Sequence, residues 1–427
     1  MRKFLLLIFL LPALFSSITV ISTEKDFVLD EEEKYRFTST TYGRYYDSIP
    51  TNPNVYEEIP TFTDSTLSKT AGKLVPDQPI QITGFYVNEE EVPIFKLKNG
   101  QFVIADKNTI YEDTVQSIQD IHQEMWLKPG FILYDKANIN GAKKINATVA
   151  PYTKVNIVQI VQTVKGTYAQ IEGQGWVSME FMDETDNRMD KVQEILSSKY
   201  NKADYSIYVK QLDTGKEAGI NQDQEMYSAS VTKLPYLYYV QEQLDQKKLS
   251  LDQKFKYIGA VNDFAGAYEP EGSGSIAKSA DDKEYSVQDL INRVAKESDN
   301  VAHNILGYYA TNQSDKNFQQ TINKIAGKKW DVEERQASSR MAGNVLEAIY
   351  EQNGMIIDAL SQTNYDNQRI SKNIDVKVAH KIGDAYDFKH DAAIVYADSP
   401  FIIVIFTNNS NYDNISQIAD DVYGVLK

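Results

Sequence analysis

The sequence predicts a multidomain chain, with small all-β modules first and one larger α/β or α+β domain after them. Three observations carry this. From about Tyr56 to Thr185 the texture is short strand-like runs broken by turn residues. Helical periodicity dominates from about Ser230 to Gln352. The tail then returns to strands and closes on one amphipathic helix. A chain of 427 residues suits two to four domains at roughly 100–200 residues each.

The elements follow in order. Arg2 and Lys3 precede an apolar run from Phe4 to Ile21, and the acidic residues Glu24, Asp26 and Asp30-Glu31-Glu32-Glu33 follow it. This reads as a secretory signal or an uncleaved membrane anchor over residues 1–22, which places the body of the chain outside the cytoplasm. Residues 23–55 are polar and tyrosine-rich, without a period, and read as a tether. Residues 56–118 and 119–183 read as two small all-β barrels in tandem. In the first, Pro79–Ile82, Val92–Phe95 and Phe102–Ile104 are strand-like; in the second, Phe131–Tyr134, Val155–Val158 and Tyr168–Ile171. The closing segments are alike, Asn99-Gly100-Gln101-Phe102-Val103 and Gly173-Gln174-Gly175-Trp176-Val177. Across the polar junction at 183–187, Met189, Val192, Ile195 and Leu196 mark a helix and Tyr205–Val209 a strand. Ala392–Tyr396 and the uninterrupted apolar run Phe401–Thr407 are strands, the latter suited to the middle of a sheet. Ile415, Ile418, Ala419, Val422 and Leu426 stripe the final helix. The first and last elements of this domain, 187–427, are expected to share one sheet.

Composition narrows the function classes. Asp and Glu total 60 against 44 Lys and Arg, a formal charge of −16, so nucleic acid is not the expected partner. With no cysteine, disulfides, thiolate metal sites and a cysteine nucleophile are excluded. Four histidines make a histidine-rich metal site improbable. No metal or organic cofactor is implied.

Three short motifs carry chemistry. Ser230-Val231-Thr232-Lys233 puts a hydroxyl and an amine on one helix face, close enough for proton transfer. The apolar stripe Leu234, Leu237, Leu244 would bury and fix the pair, with Pro235 expected to distort the helix locally. A second match, Ser275-Ile276-Ala277-Lys278, lies in a Gly/Ser-rich loop and opens no helix. Ser298-Asp299-Asn300 follows a helix begun by the capping-box-like Ser286-Val287-Gln288-Asp289. Lys381-Ile382-Gly383 precedes the last two strands, where glycine would let a substrate backbone lie close. Alone, each motif is as well explained by an ordinary polar turn or helix start.

In this order, with Ser298 68 positions after Ser230 and Lys381 83 positions after Ser298, the motifs resemble the class A β-lactamases and the penicillin-binding-protein superfamily. The Gly-Trp-Val ending at Trp176 resembles bacterial SH3-like cell-wall modules; a plain core aromatic explains Trp176 equally well. The first resemblance implies an antiparallel sheet with a helical subdomain and a serine acyl-enzyme. Ser230 would be the nucleophile and Lys233 its base, Ser298 would relay a proton to the leaving nitrogen, and Lys381 would supply positive potential. Asn300 would bind the substrate's side-chain amide, and the N–H groups of Ser230 and Asp384, beyond Gly383, would hold the oxyanion. Two departures stand out. Ile382 replaces the family's usual Thr or Ser, removing a hydroxyl that helps hold a carboxylate, and Asp384 and Asp387 add repulsion. The family's Glu-x-x-x-Asn deacylation loop is absent; Glu333 and Glu334 are the substitutes on offer, and exposed carboxylates explain them equally well. The expected function is an exported serine hydrolase or transpeptidase-like enzyme, secreted or anchored at the cell surface. Its expected partners are peptidoglycan or a cell-wall peptide, with a β-lactam as possible ligand and membrane contact only through the N-terminal segment. The rival readings are a true class A β-lactamase and a non-catalytic wall-binding or scaffold protein.

Overall fold

The computed structural model describes residues 43–427. The signal or anchor expected over residues 1–22, and the tether as far as residue 42, lie outside the described residues.

Two β units precede the large domain. The first is a five-stranded antiparallel sheet in the order Thr70–Leu74, Ile59–Phe62, Phe102–Ile104, Pro93–Leu97, Ile82–Val87. A separate ladder pairs Pro53–Val55 with Ile110–Glu112. Tyr46 and Val55 pack with Phe95, Leu97, Val103 and Ile110 in its core. The expected tether therefore ends earlier than residue 55, because Tyr46 and Val55 find apolar partners there. The second unit is a seven-stranded sheet whose longest strand, Val115–Leu127, crosses the expected division at 118/119. All of that strand pairs within the second sheet, along Lys154–Thr163. The two units meet at Lys165, whose ammonium reaches from the second to Asp77 (2.5 Å) and to the fully buried Asp113 (3.1 Å).

The large domain is built on a five-stranded antiparallel sheet, ordered Glu217–Ile220, Tyr205–Gln211, Phe401–Asn408, Phe388–Val395, Val378–Ala385. Its first and last strands in sequence are indeed neighbours, with Ile207 opposite Ile405. The apolar run at 401–407 is explained by two covered faces. Ile403 and Ile405 pack with Met189, Val192 and Ile418, from helices Arg188–Lys199 and Tyr412–Leu426. The alternate residues Ile402, Val404 and Phe406 pack with Leu237 and Leu346, from helices Lys233–Asp245 and Ser339–Gln352. Period-two alternation thus supplies two cores from one strand. Val378–Ala385 is the sheet's outermost strand, which leaves one side of its backbone free of ladder partners in that sheet.

Candidate active site

Ser230 sits in a single 3-10 turn, Ala229–Thr232, that runs into the helix Lys233–Asp245. Pro235 falls in that helix's first turn, where no intrahelical bond needs its missing N–H, so no distortion of the helix interior is required. Ala229, just before Ser230, adopts φ +46°, a costly conformation for a residue with a Cβ. It is held there: the buried Tyr268 hydroxyl donates to the Ala229 carbonyl at 2.8 Å. Ser298 is also left-handed, φ +57°, at the corner between helices Val287–Lys296 and Asn300–Tyr309. Ser286 caps the first of these through Asp289 N–H (3.1 Å), as its sequence suggested. Asp299 caps the second through Ala302 N–H (2.9 Å). It also accepts from the N–H groups of Ser275 (2.7 Å) and Ile276 (3.0 Å). The second Ser-x-x-Lys match is thereby a loop anchored on the Ser-Asp-Asn corner, and Lys278 Nζ closes it on the Gly272 carbonyl at 2.9 Å.

The amines converge on that corner. Lys233 Nζ, fully buried, donates to the Ser298 carbonyl (2.7 Å) and to Asn300 Oδ1 (2.7 Å), with Ser298 Oγ at 3.4 Å. Lys381 Nζ, also buried, donates to Ser298 Oγ at 2.8 Å and to the Ile382 carbonyl at 3.1 Å. Asn300 turns its amide N–H to the Glu269 carbonyl (2.8 Å), which fixes its oxygen toward Lys233. Burial, and then the nearby Lys381, hold the Lys233 amine well below its ordinary range, so the neutral form that a base requires is accessible. Burial likewise lowers Lys381 to about 7, against the opposing pull of Asp391.

Gly383 brings the outermost strand against the serine turn. A Cβ there would meet the Ser228 carbonyl at 2.8 Å and Val231 at 3.0 Å, so only glycine fits without movement. Ser230, Asn300 and Asp384 all line one cleft of about 340 Å³, bounded also by Tyr268, Arg335 and Tyr386. Asp384 does not confront the cleft as a free anion. Its carboxylate is bound by Arg369 (2.6 Å), Lys389 (2.9 Å) and the Tyr412 hydroxyl. Glu333 and Glu334 are exposed and do not line the cleft. Among the described residues, no group of His, Asp or Glu side chains is placed to hold a metal ion.

Two cleft residues escaped the sequence analysis. Tyr268 lies under Lys233 Nζ, 4.3 Å from the ring centroid, and Arg335 stacks on the same ring at 4.0 Å. Asn304 clamps the Tyr268 backbone from both sides, accepting from its N–H and donating to its carbonyl at 2.7 Å each. Neither residue belongs to a motif or a periodic stripe; the one available signal was an aromatic inside the Gly/Ser-rich stretch.

The family model described as "Beta-lactamase enzyme family" matches residues 187–426. The chain belongs to that family. Among solved structures it is similar to PBP-A, with 17% identity, a TM-score of 0.47, and coverage of 56% of this chain and 95% of that one. A β-lactamase from Chitinophaga pinensis DSM 2588 gives 20%, 0.45, 56% and 100%. One from Sphaerobacter thermophilus DSM 20745 gives 16%, 0.45, 56% and 94%. No curated protein sequence matches the chain.

Proposed function

We propose that this chain is an exported serine acyl-enzyme hydrolase or transpeptidase-like enzyme acting on an amide or β-lactam, with a cell-wall peptide as its natural substrate. The observation that carries this reading is the Lys233 amine, buried, depressed in basicity and bonded into the Ser298–Asn300 corner beside the Ser230 cleft. A solvated lysine at a helix start would have none of these properties.

Ser230 Oγ attacks the carbonyl carbon, and its proton passes to neutral Lys233. The N–H groups of Ser230 and Asp384 receive the developing oxyanion. Ser298 passes a proton to the leaving nitrogen and is resupplied by Lys233 or Lys381, both within 3.4 Å of its oxygen. The C–N bond breaks and a Ser230 ester remains. Hydrolysis of that ester needs an activated water, and the exposed Glu333 and Glu334 offer no such base in the cleft. With the family's Glu-x-x-x-Asn loop absent, the adduct is expected to be long-lived. The export signature and the preceding β units support action at the cell wall.

Intact mass after incubation with benzylpenicillin tests the reading. Wild type is expected to gain one penicillin, slowly and persistently, and Ser230→Ala none. Rapid turnover without a trapped adduct would instead make the chain a working β-lactamase. Neither adduct nor turnover would leave a non-catalytic scaffold.

A further inference from the structure

The Ile382 position holds no hydroxyl, and Lys381 Nζ is spent on Ser298 and on the Ile382 carbonyl, so the substrate's anionic group lacks its expected seat. The other cations near the strand are committed too. Arg369, 1% exposed, and Lys389 both pair with Asp384. Among the described residues that line the cleft, Arg335 alone is cationic. No carboxylate lies within ion-pair distance of it among those residues, and its Nε has no hydrogen-bond partner. In a chain of net charge −16 an unpaired, partly buried guanidinium is unusual company for a cleft, since burying a charge without a counter-ion is costly.

Arg335 is also rigidly placed. Its backbone carbonyl accepts from Ser228 N–H (2.7 Å) and from the Ser228 hydroxyl (2.9 Å). Its guanidinium lies over the Tyr268 ring and donates to the Ala267 carbonyl at 2.8 Å. The residue thus ties Ser228, just before the serine turn, to the Ala267–Tyr268 segment. Nη2 is committed to the Gly266 (3.4 Å) and Ala267 carbonyls, and the planar guanidinium so fixed is suited in charge and shape to a carboxylate.

We propose that Arg335 is the specificity-determining residue that binds a carboxylate of the substrate, in place of the strand's missing hydroxyl. The inference deepens the acyl-enzyme reading and rests on it for the identity of the substrate. Its seat lies on the Tyr268 ring, in the cleft that Ser230 also lines. Glu269, exposed at the rim, is the remaining carboxylate of the cleft without a cationic partner among the described residues.

The test separates binding from acylation. In the Ser230→Ala chain, calorimetry compares benzylpenicillin with its methyl ester, which lacks the charge. The acid is expected to bind about tenfold or more tighter than the ester, as one charge-assisted contact provides. Adding Arg335→Gln should bring the two to near equality, while Arg335→Lys should keep part of the preference. An acid preference that survives Arg335→Gln would overturn the proposal and move the seat to Lys381 or Arg369. Equal loss for acid and ester would also overturn it, since that is the mark of a merely structural residue. If the preference behaves as expected but wild type forms no adduct, the acyl-enzyme reading fails and the carboxylate seat stands.

Discussion

On the acyl-enzyme reading proposed above, Lys233 is one side chain both costly to the fold and needed for the chemistry. An amine taken fully from water is destabilising, and three oxygen atoms of the Ser298–Asn300 corner compensate it only in part. Lys233→Ala removes that burden but strands Asn300 Oδ1, a loss of about 1–3 kcal/mol. The two effects oppose each other, so the melting temperature should move little. Penicillin acylation, followed by mass, should fall by roughly 10²-fold or more, because Ser230 then has no neutral base. Normal labelling of the variant would remove Lys233 from its assigned role.

At the scale of an element, the Val378–Ala385 strand is pinned by more than its ladder. His380, beside Lys381, is buried between Asp391 (3.0 Å) and Asp366 (3.1 Å), with the Thr363 hydroxyl at 3.0 Å. Burial lowers its pKa, but the two carboxylates prevail and raise it to about 9. A raised folded value means that the stabilisation is complete below about pH 6.5 and is lost as pH climbs through about 9. Its size is roughly 3 kcal/mol. Lys381, lowered to about 7, titrates in the opposite sense, so the useful quantity is the difference between wild type and His380→Asn. Denaturant midpoints should differ clearly at pH 6 and converge by pH 10; a gap independent of pH would show that His380 is neutral in the fold. None of this was legible beforehand, because Thr363, Asp366, His380 and Asp391 belong to no motif: His380 and Asp391 meet through strand pairing, and Thr363 and Asp366 reach them from a turn.

The molecule as a whole divides by how locally each feature is encoded. The domain over 187–427 was legible as strand, helices, strands and helix, and the meeting of Lys233, Ser298 and Lys381 was legible because their motifs fall in a specific order. The β region resisted. Val115, Ile118 and Ile121 are spaced three apart and most of their strand is exposed, so no clean alternation marked where one sheet ends and the next begins. Tyr268 and Arg335 were invisible for a related reason: they reach the site from separate loops. The large domain has its own two cores, on either face of its sheet, and its contacts with the second β unit are mostly surface ones. These include Arg188 over Trp126 (5.1 Å) and the Tyr152–Glu194 hydrogen bond. A chain beginning at residue 183 is therefore expected to fold and to take up penicillin at a rate within about twofold of the full protein. Loss of labelling in a folded truncation would show that the β units shape the cleft.

The Tyr268 ring, with an ammonium on one side and a guanidinium packed against it as well, makes the site's history harder to take apart. One aromatic residue carries the buried Lys233 amine, the Arg335 guanidinium proposed above as a carboxylate seat and, through its hydroxyl, the bend at Ala229 beside Ser230. Its variants would register in all three at once, so improvement in ligand choice cannot accumulate there independently of reactivity. Such a residue is an epistatic hub: evolution can reshape this cleft readily from the Tyr386 rim, whose side chain is 84% exposed, and only in concerted steps from beneath.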